Sequence, residues 1–111
     1  MVSNFVQLKE ILSDMGIPGA YYKFSERNAP GGFPYYVYFS ESTETFKADN
    51  ISFVNIPTVF IELYTKDKDI VLEKKMESIL KENDMPYTKE ETFLDDEEGH
   101  LVIYTTSFVE E

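Results

Sequence analysis

The chain contains no cysteine and no tryptophan, and it has one histidine, His100, and one arginine, Arg27. Without cysteine there are no thiolate nucleophiles, no thiolate-built zinc sites and no disulfides, and a reducing compartment is the natural setting. A single histidine excludes every catalytic plan that needs two. There is no G-x-S-x-G elbow, and the Pro30–Pro34 segment, PGGFP, lacks the Lys-Ser/Thr pair and the following helix of a phosphate-binding loop. Long hydrophobic runs are missing too. The apolar stretches at 59–61 and 101–104 fall far short of the roughly 20 residues a membrane helix needs. The opening MVSNFVQLKE has neither a basic n-region nor a sustained apolar run, so no signal peptide is expected. These absences read as a soluble, intracellular, non-enzymatic protein with no cofactor and no metal.

Positive charge is scarce. Ten basic residues face 21 acids, for a net charge of −11. A bare phosphate backbone repels such a protein as a whole, so sequence-independent DNA binding is not expected; nor is a membrane partner or sequence-specific nucleic-acid binding. The lysines are scattered and form no basic groove. Beyond Lys89 there is no further base, while eight acids follow, from Glu90 to Glu111. Tyrosine-rich strands could stack single-stranded bases, but the charge opposes it.

Phenylalanine and tyrosine are what the chain has in plenty: nine and eight residues, in a length of 111 that fits one domain. Phe5, Leu8, Leu12 and Met15 fall at helical spacing, which predicts a helix over residues 3–15, capped by Ser3 or Asn4 and stopped by Gly16 and Pro18. Alternation predicts strands over 20–25, 35–39 and 58–64. A second helix is expected over 67–83, with Leu72, Met76, Ile79 and Leu80 as its apolar stripe and Glu77 with Lys81 as an i, i+4 pair. A hairpin over 87–94 and 101–109 closes the chain around an acidic turn. The order α-β-β-β-α-β-β predicts an α+β fold, a mainly antiparallel sheet of four to five strands with both helices on one face. Leu8, Leu12, Val59, Ile61, Leu72, Met76, Ile79 and Ile103 are the expected core.

Little in the sequence carries chemistry. His100 stands beside Asp95, Asp96, Glu97 and Glu98, but this spacing matches no ligand motif, and the segment reads as a solvated charged turn. Glu62 interrupts an apolar strand. Alternation places it with Phe60 and Tyr64 on the face away from the helices. A catalytic carboxylate pair is easily drawn from 21 acids and so carries little information.

Residues 40–57 form a connection too long and polar for a tight hairpin, yet apolar residues punctuate it. It reads either as a loop folded back on the core or as a hairpin arm reaching a neighbour. Residues 42–53 are expected to be mobile in an isolated subunit and to order on assembly. The candidate assembly interface is Phe46, Lys47, Asp49, Asn50, Ile51 and Phe53.

Several features in sequence order carry a family resemblance. An aromatic strand runs into a polar segment containing Ala48-Asp49-Asn50. Val59 to Thr65 has the form V-x-I-x-L-Y-T. Lys68-Asp69, a Glu-rich helix, Pro86-Tyr87 and a closing strand with Tyr104 follow. In this order the chain resembles the neck proteins of tailed bacteriophages and prophages, of the tail-terminator or tail-completion type. The resemblance implies a structural subunit that forms a hexameric ring, caps the tail tube and helps join the tail to the head. Implied partners are further copies of itself, the tail tube protein and a head-completion protein. DNA would pass through an acidic lumen. The location implied is the host cytoplasm during assembly and then the virion neck or tail. Two rival readings are an acidic DNA mimic, or other inhibitory binding protein of phage origin, and a small enzyme working through carboxylates.

Overall fold

Asn4 starts the first helix. Its side chain accepts the Gln7 N–H at 2.9 Å and caps α1, Phe5–Ser13. Gly16 follows at φ +72° and turns the chain out of the helix. The computed structural model describes residues 1–48, 52–95 and 99–111. After α1 come β1 (Gly19–Tyr21), a 3-10 turn (Glu26–Asn28), β2 (Tyr35–Ala48), β3 (Ser52–Thr65), α2 (Ile70–Glu82), β4 (Thr88–Leu94) and β5 (Gly99–Ser107). The sheet order is β1-β2-β3-β5-β4. Only the short β1 is parallel to its neighbour; the other pairings are antiparallel. The α+β class and the element order match the expectation from the sequence.

Both helices cover one face of the sheet. Leu8 and Leu12 from α1, with Met76, Ile79 and Leu80 from α2, meet Tyr36, Tyr38, Val59, Ile61, Leu63, Val102 and Tyr104. Period-two alternation puts these strand residues on the same side, since Ile61 faces both Tyr38 and Tyr104 across the ladders. Gly19 is needed for this packing: a Cβ there would lie 1.9 Å from the Tyr36 ring.

Three expectations need correction. The first strand is shorter than residues 20–25, because Tyr22 takes a left-handed backbone, φ +69°, and ends it after Tyr21. Ile103 is not in the core; register puts it opposite Glu62 on the face away from the helices, where it is half-buried. Residues 101–104 are apolar on both faces, so the sequence alone could not orient that strand. Leu72 packs against the core at its margin and is only partly buried. Ile61→Ala should therefore cost about 2–5 kcal/mol, with Leu72→Ala at or below the lower end of that range. Urea unfolding of both variants checks the assignment, and a loss below about half a kcal/mol at Ile61 would refute it.

Of the two readings of residues 40–57, a loop folded back on the core or a hairpin arm, the described residues form the hairpin. β2 and β3 stay paired from Tyr35↔Tyr64 to Ala48↔Ser52, with one irregularity between Ser40 and Ser42. The alternating Thr, Glu and Phe residues of the segment suit a ribbon solvated on both faces. Pro57 is tolerated because β5 begins its pairing with β3 only at Thr58↔Ser107. The edge at Pro57 has no ladder bond to lose. The ribbon lengthens the molecule to 52 × 29 × 24 Å, with a Cα radius of gyration of 15.0 Å, against about 13 Å for a compact chain of this length.

Candidate functional site

Two features stand out against the core: the projecting ribbon and a buried ionic cluster. The ribbon begins where the helical layer stops. Beyond Tyr38, the last partner of β1, the outer edge of β2 has no ladder partner among the described residues. Among the described residues the outer edge of β3 from Ser52 to Pro57 has only the single bridge Asn55↔Glu110. Unpaired edges offer main-chain donors and acceptors to another strand.

Register fixes which way the arm's side chains point. Phe46 pairs with Val54 and Lys47 with Phe53, so Phe46 and Phe53 lie on opposite faces of the ribbon. Both are exposed, at 51 % and 71 %. The arm thus presents one aromatic ring on each face and not a single patch. Lys47 is exposed beside Phe53. Asp49, Asn50 and Ile51 lie outside the described residues. The face that carries Phe46 runs down into the open side of the sheet. There Phe39 stacks on Phe60 at 5.5 Å and Tyr35 on Tyr64 at 4.8 Å. Glu62 lies on this open side, as its alternation predicts, and accepts the Tyr64 hydroxyl at 3.1 Å.

The cluster lies at the other end, where α2 crosses β4 and β5. Asp69 caps α2 by accepting the Leu72 N–H at 3.0 Å. This sets the helix phase so that Glu73 and Glu77 turn inward with Met76 and Leu80. Their exposures are only 2 % and 6 %. A buried carboxylate needs a cation and hydrogen bonds to persist. Lys89 from β4 supplies both, 2.7 Å from Glu73 Oε1 and 3.0 Å from Glu77 Oε2. The buried Tyr104 hydroxyl donates to Glu77 Oε2 at 2.9 Å. Lys68, just before α2, lies 2.7 Å from Glu73 Oε1 and also pairs with Glu91. His100 Nε2 is 3.0 Å from Glu91 Oε1. The His100 ring meets Phe93 edge-on at 5.3 Å.

These contacts set the proton affinities. Burial alone would lower Lys89, but its hydrogen bonds to Glu73 and Glu77 outweigh that and raise it. Burial alone would raise Glu77, yet the bonds from Lys89 and Tyr104 hold it below the usual carboxylate value. Lys68 lowers Glu91, with His100 adding to the effect, and Lys68 is itself raised by Glu73 and Glu91. Burial first, and then Glu77, raises Tyr104. Two buried atoms of the cluster, Glu73 Oε2 and His100 Nδ1, have no hydrogen-bond partner among the described residues. Glu73, Glu91 and His100 bring one ligand atom each to within 4.8 Å of one another.

The structure therefore corrects two sequence readings. His100 is not part of a solvated turn but is 4 % exposed, because it faces Thr65 across β3–β5 on the helix-covered side. Glu77 turns inward to Lys89, not along the helix to Lys81. The cluster itself was not anticipated. One signal for it was present: Glu73, Met76, Glu77 and Leu80 fall at i, i+3, i+4 and i+7, which puts two acids on an apolar stripe. The lysines that answer them come from distant positions, and nothing in their spacing announces the pairing. No helix among the described residues is long and apolar enough to cross a membrane. No protein-family model matches the chain, and no curated protein is significantly similar to it.

Proposed function

We propose that this protein is a structural subunit of the neck of a tailed phage or prophage, of the tail-terminator type, which joins copies of itself into a ring that closes the tail tube and helps attach the head. The observation that carries the reading is the ribbon arm. It extends beyond the helical layer, leaves strand edges unpaired, and exposes Phe46 and Phe53 on opposite faces. An arm with a ring on each side suits insertion between two neighbours, as a closed heterologous ring requires. The second free edge, β4, lies at the far side of the sheet from β1, so each subunit offers two different strand edges. Identical edges meeting about a two-fold axis would bring Glu90 and Glu91 of β4 against their own copies, which like charge disfavours. In the ring, the tail tube protein and a head-completion protein are the neighbours above and below, and the acidic lumen lets DNA pass.

The net charge of −11 makes subunits repel at low ionic strength, and salt screens this, with a Debye length of about 8 Å at physiological strength. Ring formation should be weak in dilute, low-salt solution and should increase with salt, concentration or added tail tubes. Sedimentation and negative-stain microscopy across a salt series test this. A protein that stays monomeric throughout and leaves tail tubes uncapped would overturn the proposal.

A further inference from the structure

We propose that Glu73, Glu91 and His100 form a binding site for a divalent transition-metal cation, with Zn2+ the best fit, and that the Lys68 ammonium fills the cation position when the metal is absent. This site is independent of the arm and of the function proposed above.

The Lys68 ammonium marks where a cation belongs. It pairs at once with Glu73 Oε1 and Glu91 Oε1, and Glu91 Oε1 is also 3.0 Å from His100 Nε2. A metal with ligand bonds of about 2.0–2.2 Å needs its ligand atoms about 3.3 Å apart in a tetrahedral site. The three ligand atoms already lie within 4.8 Å of one another, so small side-chain rotations close the site. Glu91 has the freedom to make them, because its side chain is 40 % exposed.

Charge points the same way. Glu73, Glu77 and Glu91 bring three negative charges against two positive ones from Lys68 and Lys89. When Lys68 leaves, two negative charges remain unbalanced, which is the charge a divalent cation neutralises. Lys68 can leave cheaply, since its side chain is 39 % exposed and a lysine stem swings into water with ease. Lys89 stays behind, bound to Glu73 and Glu77 from the other side.

Burial supplies the independent observation. Glu73 Oε2 and His100 Nδ1 are buried without partners among the described residues, in side chains only 3 % and 6 % exposed. Buried polar atoms are nearly always satisfied, and an exception asks for an explanation such as an ion. An ion held by Glu73, Glu91 and His100 Nε2 answers the exception at Glu73, whereas His100 Nδ1 lies on the ring side away from Glu91. The Glu73 oxygen is a spare ligand while Oε1 keeps Lys89. The imidazole selects zinc-like metals over Mg2+ and Ca2+, which take oxygen ligands. Bound metal would tie α2, β4 and β5 together at one point, pinning the edge strand β4.

Titration calorimetry and thermal melting of the untagged full chain with Zn2+ test this. The expected result is one equivalent of Zn2+ bound and a raised melting temperature, reversed by chelator, with no response to Mg2+. Lys68→Met removes the competing ammonium and should bind Zn2+ at least about tenfold more tightly, as expected when a like charge leaves a partly buried site. His100→Gln should lose the site. Glu91→Gln, on the exposed edge strand, should lose it as well and answers the question if the histidine variant does not fold. Absence of Zn2+ binding by both the parent and Lys68→Met would overturn the proposal. Undiminished affinity in Glu91→Gln would overturn it equally, since the metal would then sit on other surface carboxylates.

Discussion

Lys89→Met should destabilise the fold by about 3 kcal/mol, towards the lower end of what breaking a buried ion pair costs. The substitution keeps the length of the stem and removes only the ammonium. Glu77 is then left with the Tyr104 hydroxyl, the nearby Tyr87 and a distant Lys74, 4.0 Å away at the exposed surface. Glu73 keeps Lys68, and Lys89 is itself 29 % exposed; both facts hold the loss below the upper limit. The companion variant decides whether the cause is uncompensated charge. Changing Glu73 and Glu77 to Leu together with Lys89→Met removes all three charges and should recover most of the loss, because well-packed apolar groups often replace a buried ionic cluster at no net cost. Tyr104 retains the Glu73 carbonyl oxygen, at 3.3 Å, as an acceptor. Urea unfolding of the two proteins is the measurement. If the triple variant is no more stable than Lys89→Met, the cluster stabilises the fold through packing and not through paired charge.

The same contacts fix the pH dependence. Lys89 is raised above its ordinary value of 10.5. Its contribution is therefore fully present below that value and fades as the pH climbs through the raised one. Glu77 is lowered from 4.5, so its contribution is present above that value and fades as the pH falls through the lowered one. Between these limits both pairings are intact.

Changing Phe46 and Phe53 together to Ser should abolish tube capping while leaving subunit stability within about 0.5 kcal/mol of the parent, as for surface substitutions that touch no core contact. The two rings are exposed in the subunit, so the fold loses little by their removal. An assembly loses a great deal, because aromatic anchors dominate interface energies. Since the rings lie on opposite faces of the ribbon, each single substitution should weaken one contact and give an intermediate defect. Sedimentation of the subunits and a tail-joining assay separate these outcomes. A double variant that caps tubes and joins heads as well as the parent would remove the arm from assembly.

The α+β order was legible because its signals are local. Apolar spacing and the caps at Asn4 and Asp69 mark the helices, and alternation marks the strands. Glu62 with Phe60 and Tyr64 was placed on the correct face for the same reason. The ribbon was only half legible. Its polar alternation reads as readily as loop, and it becomes strand because the pairing of residues 35–40 with 59–64 holds the two chains side by side, so that the ladder resumes, shifted by one residue, past the irregularity between Ser40 and Ser42. Ile103 was misplaced because the sequence makes both faces of its strand apolar, and only the docking of the helices chooses between them. The cluster depended most on tertiary structure. Composition and helical phase determined that two acids of α2 would lie on its apolar side. That Lys68, Lys89, Tyr104, Glu91 and His100 meet them there follows from the β3–β5 and β5–β4 registers, which gather residues up to 36 positions apart, from Lys68 to Tyr104. Such contacts leave no periodic trace along a chain, because they are set by how elements cross and not by how each one forms.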